Sequence, residues 1–232
     1  MELNSINNIL EKVSATLNFF DFSFLVSGTA TAGITYYFFH DKVDMTFPFT
    51  QMGLKIIFGI IFIYICGILS YSAGKKIRKT IEFSSLEYDL KKFIQIENKI
   101  KQNEGYKGYL IDTKNLKNED FELMYDKMWI SLRNHEKGKE TVEYLNRAGM
   151  MQSIAEGLFF SSILFFCLHL YNYVEPCQCS TYIPLFISIL TAYAFLVEAN
   201  RSAKIQRREL VDAYYQFIIP SSPAKTSSSP ED

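Results

Sequence analysis

The chain is poor in the residues that most often carry chemistry. Its 232 residues include one Trp, three His, four Cys and six Pro. The histidines stand far apart at positions 40, 135 and 169, so no histidine-based metal site is expected. Cys66 and Cys167 fall in apolar runs, and Cys177 and Cys179 form a Cys-x-Cys in a short loop. That pattern is neither a zinc framework nor the disulfide scaffold of a small secreted domain. There is no Walker loop, no Gly-x-Ser-x-Gly, no His-Glu-x-x-His and no dinucleotide fingerprint. We therefore assign no catalytic residue, metal or cofactor, and do not expect an enzyme. Residues 1–18 lack a basic n-region and a small-residue cleavage site, so they do not read as a cleaved signal peptide.

What the chain has in abundance is segregated apolar sequence. It is 48% hydrophobic, with 20 Phe and 15 Tyr, yet its net charge is −1 and its mean hydropathy is +0.01. The average hides the pattern, because apolar runs alternate with a long polar stretch. Residues 53–73, GLKIIFGIIFIYICGILSYSA, are followed at once by Lys75, Lys76, Arg78 and Lys79. About twenty apolar residues match the hydrocarbon thickness of a bilayer, where a helix satisfies its own backbone polar groups. Clustered cations hold the adjoining end on the cytoplasmic side.

From that orientation the layout follows as an all-α membrane protein with four transmembrane helices and a helical cytoplasmic insert between the second and third. Residues 1–18 form an amphipathic segment, with Ile6, Leu10, Val13 and Leu17 at helical spacing. Residues 19–73 are a hairpin of two spans. Residues 74–152 are the cytoplasmic helical module. In it the second span continues as an amphipathic helix to about residue 103, a second helix covers 120–134, and a third begins at 139 and runs into the third span. Residues 153–198 are another hairpin of two spans, with Pro184 in the first turn of the fourth and residues 172–181 as its loop. Residues 199–219 are a basic helix carrying Arg201, Lys204, Arg207 and Arg208, and 220–232 are a Ser/Pro-rich disordered tail. Of the 24 Lys and Arg, all but Lys42 and Lys55 then lie inside. The expected location is a bacterial inner membrane with both termini cytoplasmic.

Three constellations stand out. Gly28 and Ala32, and Thr29 and Gly33, lie four apart in the first span and allow close approach by another helix, in the same subunit or a second copy. Asp21, Glu156 and Glu198 fall near the inner boundary of the spans, whereas Lys55 and His169 fall near the outer one. Inner carboxylates would attract cations at a mouth, or sit satisfied beside basic residues such as Arg147 or Arg201. In the module, Trp129, Arg133 and His135 form the densest cluster of versatile side chains. They suit partner or phosphate binding, or form a helix end with Arg133 paired to Glu122, Asp126 or Glu136.

The long helix carried on from Gly74-Lys-Lys-Ile-Arg-Lys79, the insert containing Trp129-Ile-Ser-Leu-Arg133 and the basic helix after the last span resemble, in layout, small multi-spanning proteins of prokaryotic antiviral loci. These include SLATT-type effectors and the membrane accessory proteins beside type VI CRISPR effectors. The Arg-x4-6-His motif of RNA-cleaving helical domains is absent, since Arg133 and His135 are only two apart. Nucleic acid is therefore not expected as a direct ligand. The small-residue seam, the inner acidic positions and a cytoplasmic module continuous with two spans lead us to expect a non-enzymatic membrane effector or accessory protein that self-associates in the lipid bilayer and changes its permeability in response to a cytoplasmic protein partner. A membrane scaffold recruiting a soluble enzyme, and a lipid-acting membrane enzyme, are the alternatives.

Overall fold

A computed structural model describes residues 19–41, 52–81, 86–103, 105, 110–113, 116–173 and 179–219. Its regular elements are helices: α1 Phe19–Phe39, α2 Met52–Ile81, α3 Leu86–Asn103, α4 Asn118–Asn134, a 3-10 turn Glu136–Gly138, α5 Lys139–Tyr173 and α6 Cys179–Phe217. No strand occurs among the described residues. The expected amphipathic segment 1–18 and tail 220–232 lie outside them, as do residues 82–85, on which continuity of the second span into the module depends.

Among the described residues, three helices are long and apolar enough to cross a membrane: α2, the 3-10 turn with α5, and α6. The expected first span, α1, forms a helix of 21 residues but is not among the three. Its centre, Ser27-Gly-Thr-Ala-Thr-Ala-Gly33, dilutes the apolar flanks with small polar residues. Two boundaries differ from expectation. Residues 172, 173 and 179–181 are helical rather than loop, which places Cys179 at the start of α6. Pro184 consequently falls in the second turn of α6, not the first. It removes a backbone donor there, a loss that helices in bilayers accommodate by local adjustment.

The chain divides into two compact units: unit 1, Met1–Glu82 with Arg147–Ala203, and unit 2, Phe83–Asn146 with Lys204–Asp232. Unit 1 is held by close backbone approach. A Cβ on Gly28 would collide with the carbonyl of Ile63, and one on Gly67 with the carbonyl of Phe24, so α1 and α2 cross almost backbone to backbone. In the same way Gly74 of α2 lies against the carbonyl of Glu156, and Gly157 of α5 against the side chain of Ser27. Only a residue without a side chain fits such crossings, the usual basis of helix association in lipid. Phe38, Phe159 and Leu185 are buried in unit 1, but many apolar side chains point away: Ile57, Phe58, Ile61, Phe62, Ile65 and Leu69 of α2 are all exposed. So are Phe186, Ile187 and Leu190 of α6.

Unit 2 has the opposite arrangement. Leu90, Phe93 and Ile94 of α3, Phe121, Met128 and Leu132 of α4, Leu145 of α5, and Leu210, Val211 and Tyr215 of α6 form one buried apolar cluster. The helical periodicity that places them on one face is that of an ordinary amphipathic helix in water. α4 starts where the Asp120 carboxylate accepts the Lys117 N–H at 2.8 Å, with Glu119 and Asp120 facing the positive end of the helix dipole. It stops at His135, whose extended backbone leads into the 3-10 turn. Tyr215 donates its hydroxyl to Asn98 Oδ1 at 2.6 Å, and Asn98 Nδ2 donates to the Ile111 carbonyl at 2.8 Å. One asparagine thus ties α6 to the segment after α3.

Candidate functional site

The polar interior of unit 1 is the candidate site. At its core the Thr31 hydroxyl lies 2.6 Å from that of Ser70 and 2.8 Å from that of Ser161, joining α1, α2 and α5. Ser70 also donates to the Cys66 carbonyl at 2.6 Å and Ser161 to the Gly157 carbonyl at 2.9 Å. Each serine has one proton, to give to its own helix or to Thr31, and in both inter-helix contacts either oxygen can be the donor. Ser23 and Ser27, at one-turn spacing before Thr31, are buried as well.

Farther along α2 and α5 sits an ion pair. Arg78 Nε donates to Glu156 Oε1 at 2.8 Å, with the two side chains 2% and 0% exposed. Gln152 Nε2 donates to the same oxygen at 2.7 Å, and Arg78 reaches Asn200 Oδ1 on α6 at 3.3 Å. Glu156 Oε2, also buried, has no hydrogen-bond partner among the described residues. Arg78 thus acts as a buried structural cation, although its place in a basic cluster marks it as a topology signal. It takes the role expected of Arg147 or Arg201 beside Glu156.

The other carboxylates are engaged separately. Asp21 Oδ1 accepts the Tyr64 hydroxyl at 2.6 Å. Glu198 is partly exposed, 3.7 Å from Arg201 and 3.3 Å from the Ser202 hydroxyl on its own helix. Glu156 is enclosed by its partners. Lys55 is exposed. His169 is buried, stacked on Phe165 at 5.6 Å and edge-on to Phe38 at 6.3 Å.

The predicted seam separates into two faces. Gly28 is spent inside the subunit against α2. Thr29 and Gly33 are exposed, Ala32 is half-buried, and nothing lies within 4 Å of a Cβ built on Gly33. A helix turns 100° per residue, so the two pairs open onto different parts of the α1 surface.

In unit 2 the predicted cluster does not converge on one point. The Arg133 guanidinium lies 5.4 Å from the Trp129 ring centre, and none of the carboxylates expected for it pairs with it among the described residues. Tyr125 meets Trp129 edge-on at 6.5 Å, and its burial pushes the phenol pKa up. His135 instead stacks on Phe217 at 5.9 Å. A second buried pair, Arg207 to Asp89 at 2.8 Å, was not anticipated, and neither was the hydroxyl cluster in unit 1. The available signal was four-residue spacing: Ser23, Ser27 and Thr31 on α1, Ser70, Gly74 and Arg78 on α2, and Ser153, Gly157 and Ser161 on α5. Among the described residues, no group of three or more His, Cys, Asp or Glu side chains is gathered as a metal site would require.

No family model, curated protein or solved structure matches the chain.

Proposed function

We propose that the protein is a non-enzymatic membrane effector or accessory protein. It crosses a bacterial inner membrane four times, with α1 as the first span and both termini cytoplasmic, and self-associates. It changes membrane permeability when a cytoplasmic protein binds unit 2. The observation that supports this most is the inversion of unit 1, in which hydroxyls and an ion pair are buried while Ile and Phe side chains face outward. Polar groups buried in spans are costly, and where they occur they mark ion and proton paths. The face of α1 bearing Thr29 and Gly33 is the contact for a second copy. α5 and α6 contribute residues to both units, so a partner acting on unit 2 acts on helices that also build unit 1. The setting that the layout resemblance implies is a prokaryotic antiviral locus.

The test is to express the full-length chain in bacteria and follow membrane potential with a voltage-sensitive dye, alongside a Leu132→Asp variant that opens the core of unit 2. Depolarisation by the first and not the second is the expected result. Absence of depolarisation, even with the native partner present, would leave the scaffold reading. That reading draws on the Trp129 and Arg133 surface of unit 2, and predicts partner capture that tolerates substitution throughout unit 1.

A further inference from the structure

We propose that unit 1 contains a proton path within a single subunit. Glu156 is its proton-binding site, and the hydroxyls of Thr31, Ser70 and Ser161 are its relay. The inference rests on the permeability reading above and adds to it the species that moves and the place where it moves.

Two independent observations meet here. The first is Glu156 itself. Its side chain is 0% exposed, Arg78 Nε and Gln152 Nε2 both donate to Oε1, and Oε2 has no partner among the described residues. A buried carboxylate oxygen without a donor is unfavourable, and a proton or a bound water on Oε2 removes the penalty. The groups around this carboxylate are Arg78 from α2, Gln152 on its own helix, Asn200 from α6 through Arg78, and Ser27 of α1 beside the adjoining Gly157. With one cation and one carboxylate in place, a proton arriving on Oε2 gives the cluster a single positive charge, which its departure removes.

The second observation is the hydroxyl cluster, five residues from Glu156 along α5 and so about 7.5 Å away at 1.5 Å per residue. Along that stretch the helices close on glycine, Gly74 against the Glu156 carbonyl and Gly157 against Ser27, so the buried Ser27 hydroxyl is the polar group beside it. Thr31 Oγ1 is within hydrogen-bond distance of both serine hydroxyls, at 2.6 and 2.8 Å, yet has one proton to give. It can take a proton at its oxygen on one side and release its own on the other. Only O–H bonds form and break, and bulk water on the two sides is source and sink. The direct hydroxyl contacts leave no room for a hydrated cation, so the path excludes sodium and potassium.

The purified full-length protein in liposomes, with an entrapped pH dye and an imposed membrane voltage, tests this. Proton entry should exceed that of protein-free vesicles and fall roughly tenfold or more in both Glu156→Gln and Thr31→Val, with no sodium entry. The first variant keeps an oxygen for Arg78 and the second keeps the shape of Thr31, and size-exclusion chromatography checks that both remain folded. A protonated-carboxyl infrared band that titrates with pH and is missing in Glu156→Gln should accompany the flux. Absence of proton entry, equal sodium entry, or flux unchanged by Thr31→Val would overturn the path. Absence of the infrared band would overturn the site. Proton entry in vesicles without depolarisation in cells removes the proposed function and keeps the path, and depolarisation without proton entry does the reverse.

Discussion

Unit 1 and unit 2 are built from the same chain by opposite rules. Unit 2 hides Leu, Ile, Phe and Met, as a domain in water must, because burial of apolar surface drives its assembly. Unit 1 hides Ser23, Ser27, Thr31, Ser70, Ser153 and Ser161 beside a few apolar residues such as Phe38, Phe159 and Leu185, and shows many Ile and Phe side chains of α2 and α6 outward. In hydrocarbon, apolar burial supplies no driving force, so cohesion comes from close packing at small residues and from hydrogen bonds. Each unit nevertheless encloses one Arg–carboxylate pair at 2.8 Å: Arg78 with Glu156, and Arg207 with Asp89. These matched pairs sit in different surroundings, so the two units can be compared directly.

The largest expected effect is the loss of one member of a pair. Arg78→Ala should cost about 3–5 kcal/mol by stranding the Glu156 charge, and Arg207→Ala a comparable amount by stranding Asp89. Replacing both partners of a pair by Met and Leu should recover most of the loss. Unfolding followed by circular dichroism in detergent measures this. A loss below about 1 kcal/mol for either single change would show that water reaches that pair.

Next is the apolar core. Leu132→Ala, at a fully buried position, should lower unit 2 stability by about 2–5 kcal/mol. Thr31→Val, in the core of unit 1, should cost only about 0.6 kcal/mol, the usual worth of a hydrogen bond between helices in lipid. If these two ranks were reversed in the same unfolding assay, the contrast between the units would fail.

The glycine pair gives a sharper test at smaller amplitude. Gly28→Leu should disrupt the α1–α2 crossing at a cost of about 1–3 kcal/mol. Gly33→Leu, with open space around it, should change stability by less than about 0.5 kcal/mol. It should nonetheless reduce self-association, measured by cross-linking in membranes. Loss of stability in both variants, or no loss of assembly in the second, would refute the division of the seam.

The smallest effect concerns Tyr215. Burial, aided by the negative charge of Glu97, pushes its phenol well above the ordinary value, so the fold favours the neutral hydroxyl donating to Asn98. Its contribution is complete below the unfolded phenol pKa of about 10 and is lost as pH rises beyond it. Tyr215→Phe should cost about 1 kcal/mol at neutral pH and flatten the alkaline decline seen in unfolding curves.

Much of this fold is legible in the sequence, because spans and amphipathic helices are periodic signals. The apolar runs place α2, α5 and α6. The breaker-free stretch from residue 139 predicts that α5 runs unbroken, and α4 begins two residues before its expected start at 120. What escapes is partner choice. Arg78 belongs to a basic cluster whose sum sets topology, and nothing local shows that this one cation turns inward while Lys76 and Lys79 stay exposed. Thr29 and Gly33 look equivalent to Gly28 and Ala32 until α2 is in place. The hydroxyl cluster needs three helices in register, and single-helix periodicity does not record register between helices.

The chain contains one tryptophan, Trp129, and it belongs to unit 2. Its indole lies under the Arg133 guanidinium at 5.4 Å, where a neighbouring positive charge shifts the energy of the excited state. The intrinsic fluorescence of the unaltered protein is therefore a signal from one unit only. Partner binding or unfolding in unit 2 can be watched in an intact membrane preparation without any label, while unit 1, with tyrosine and phenylalanine alone, stays dark at the same wavelength.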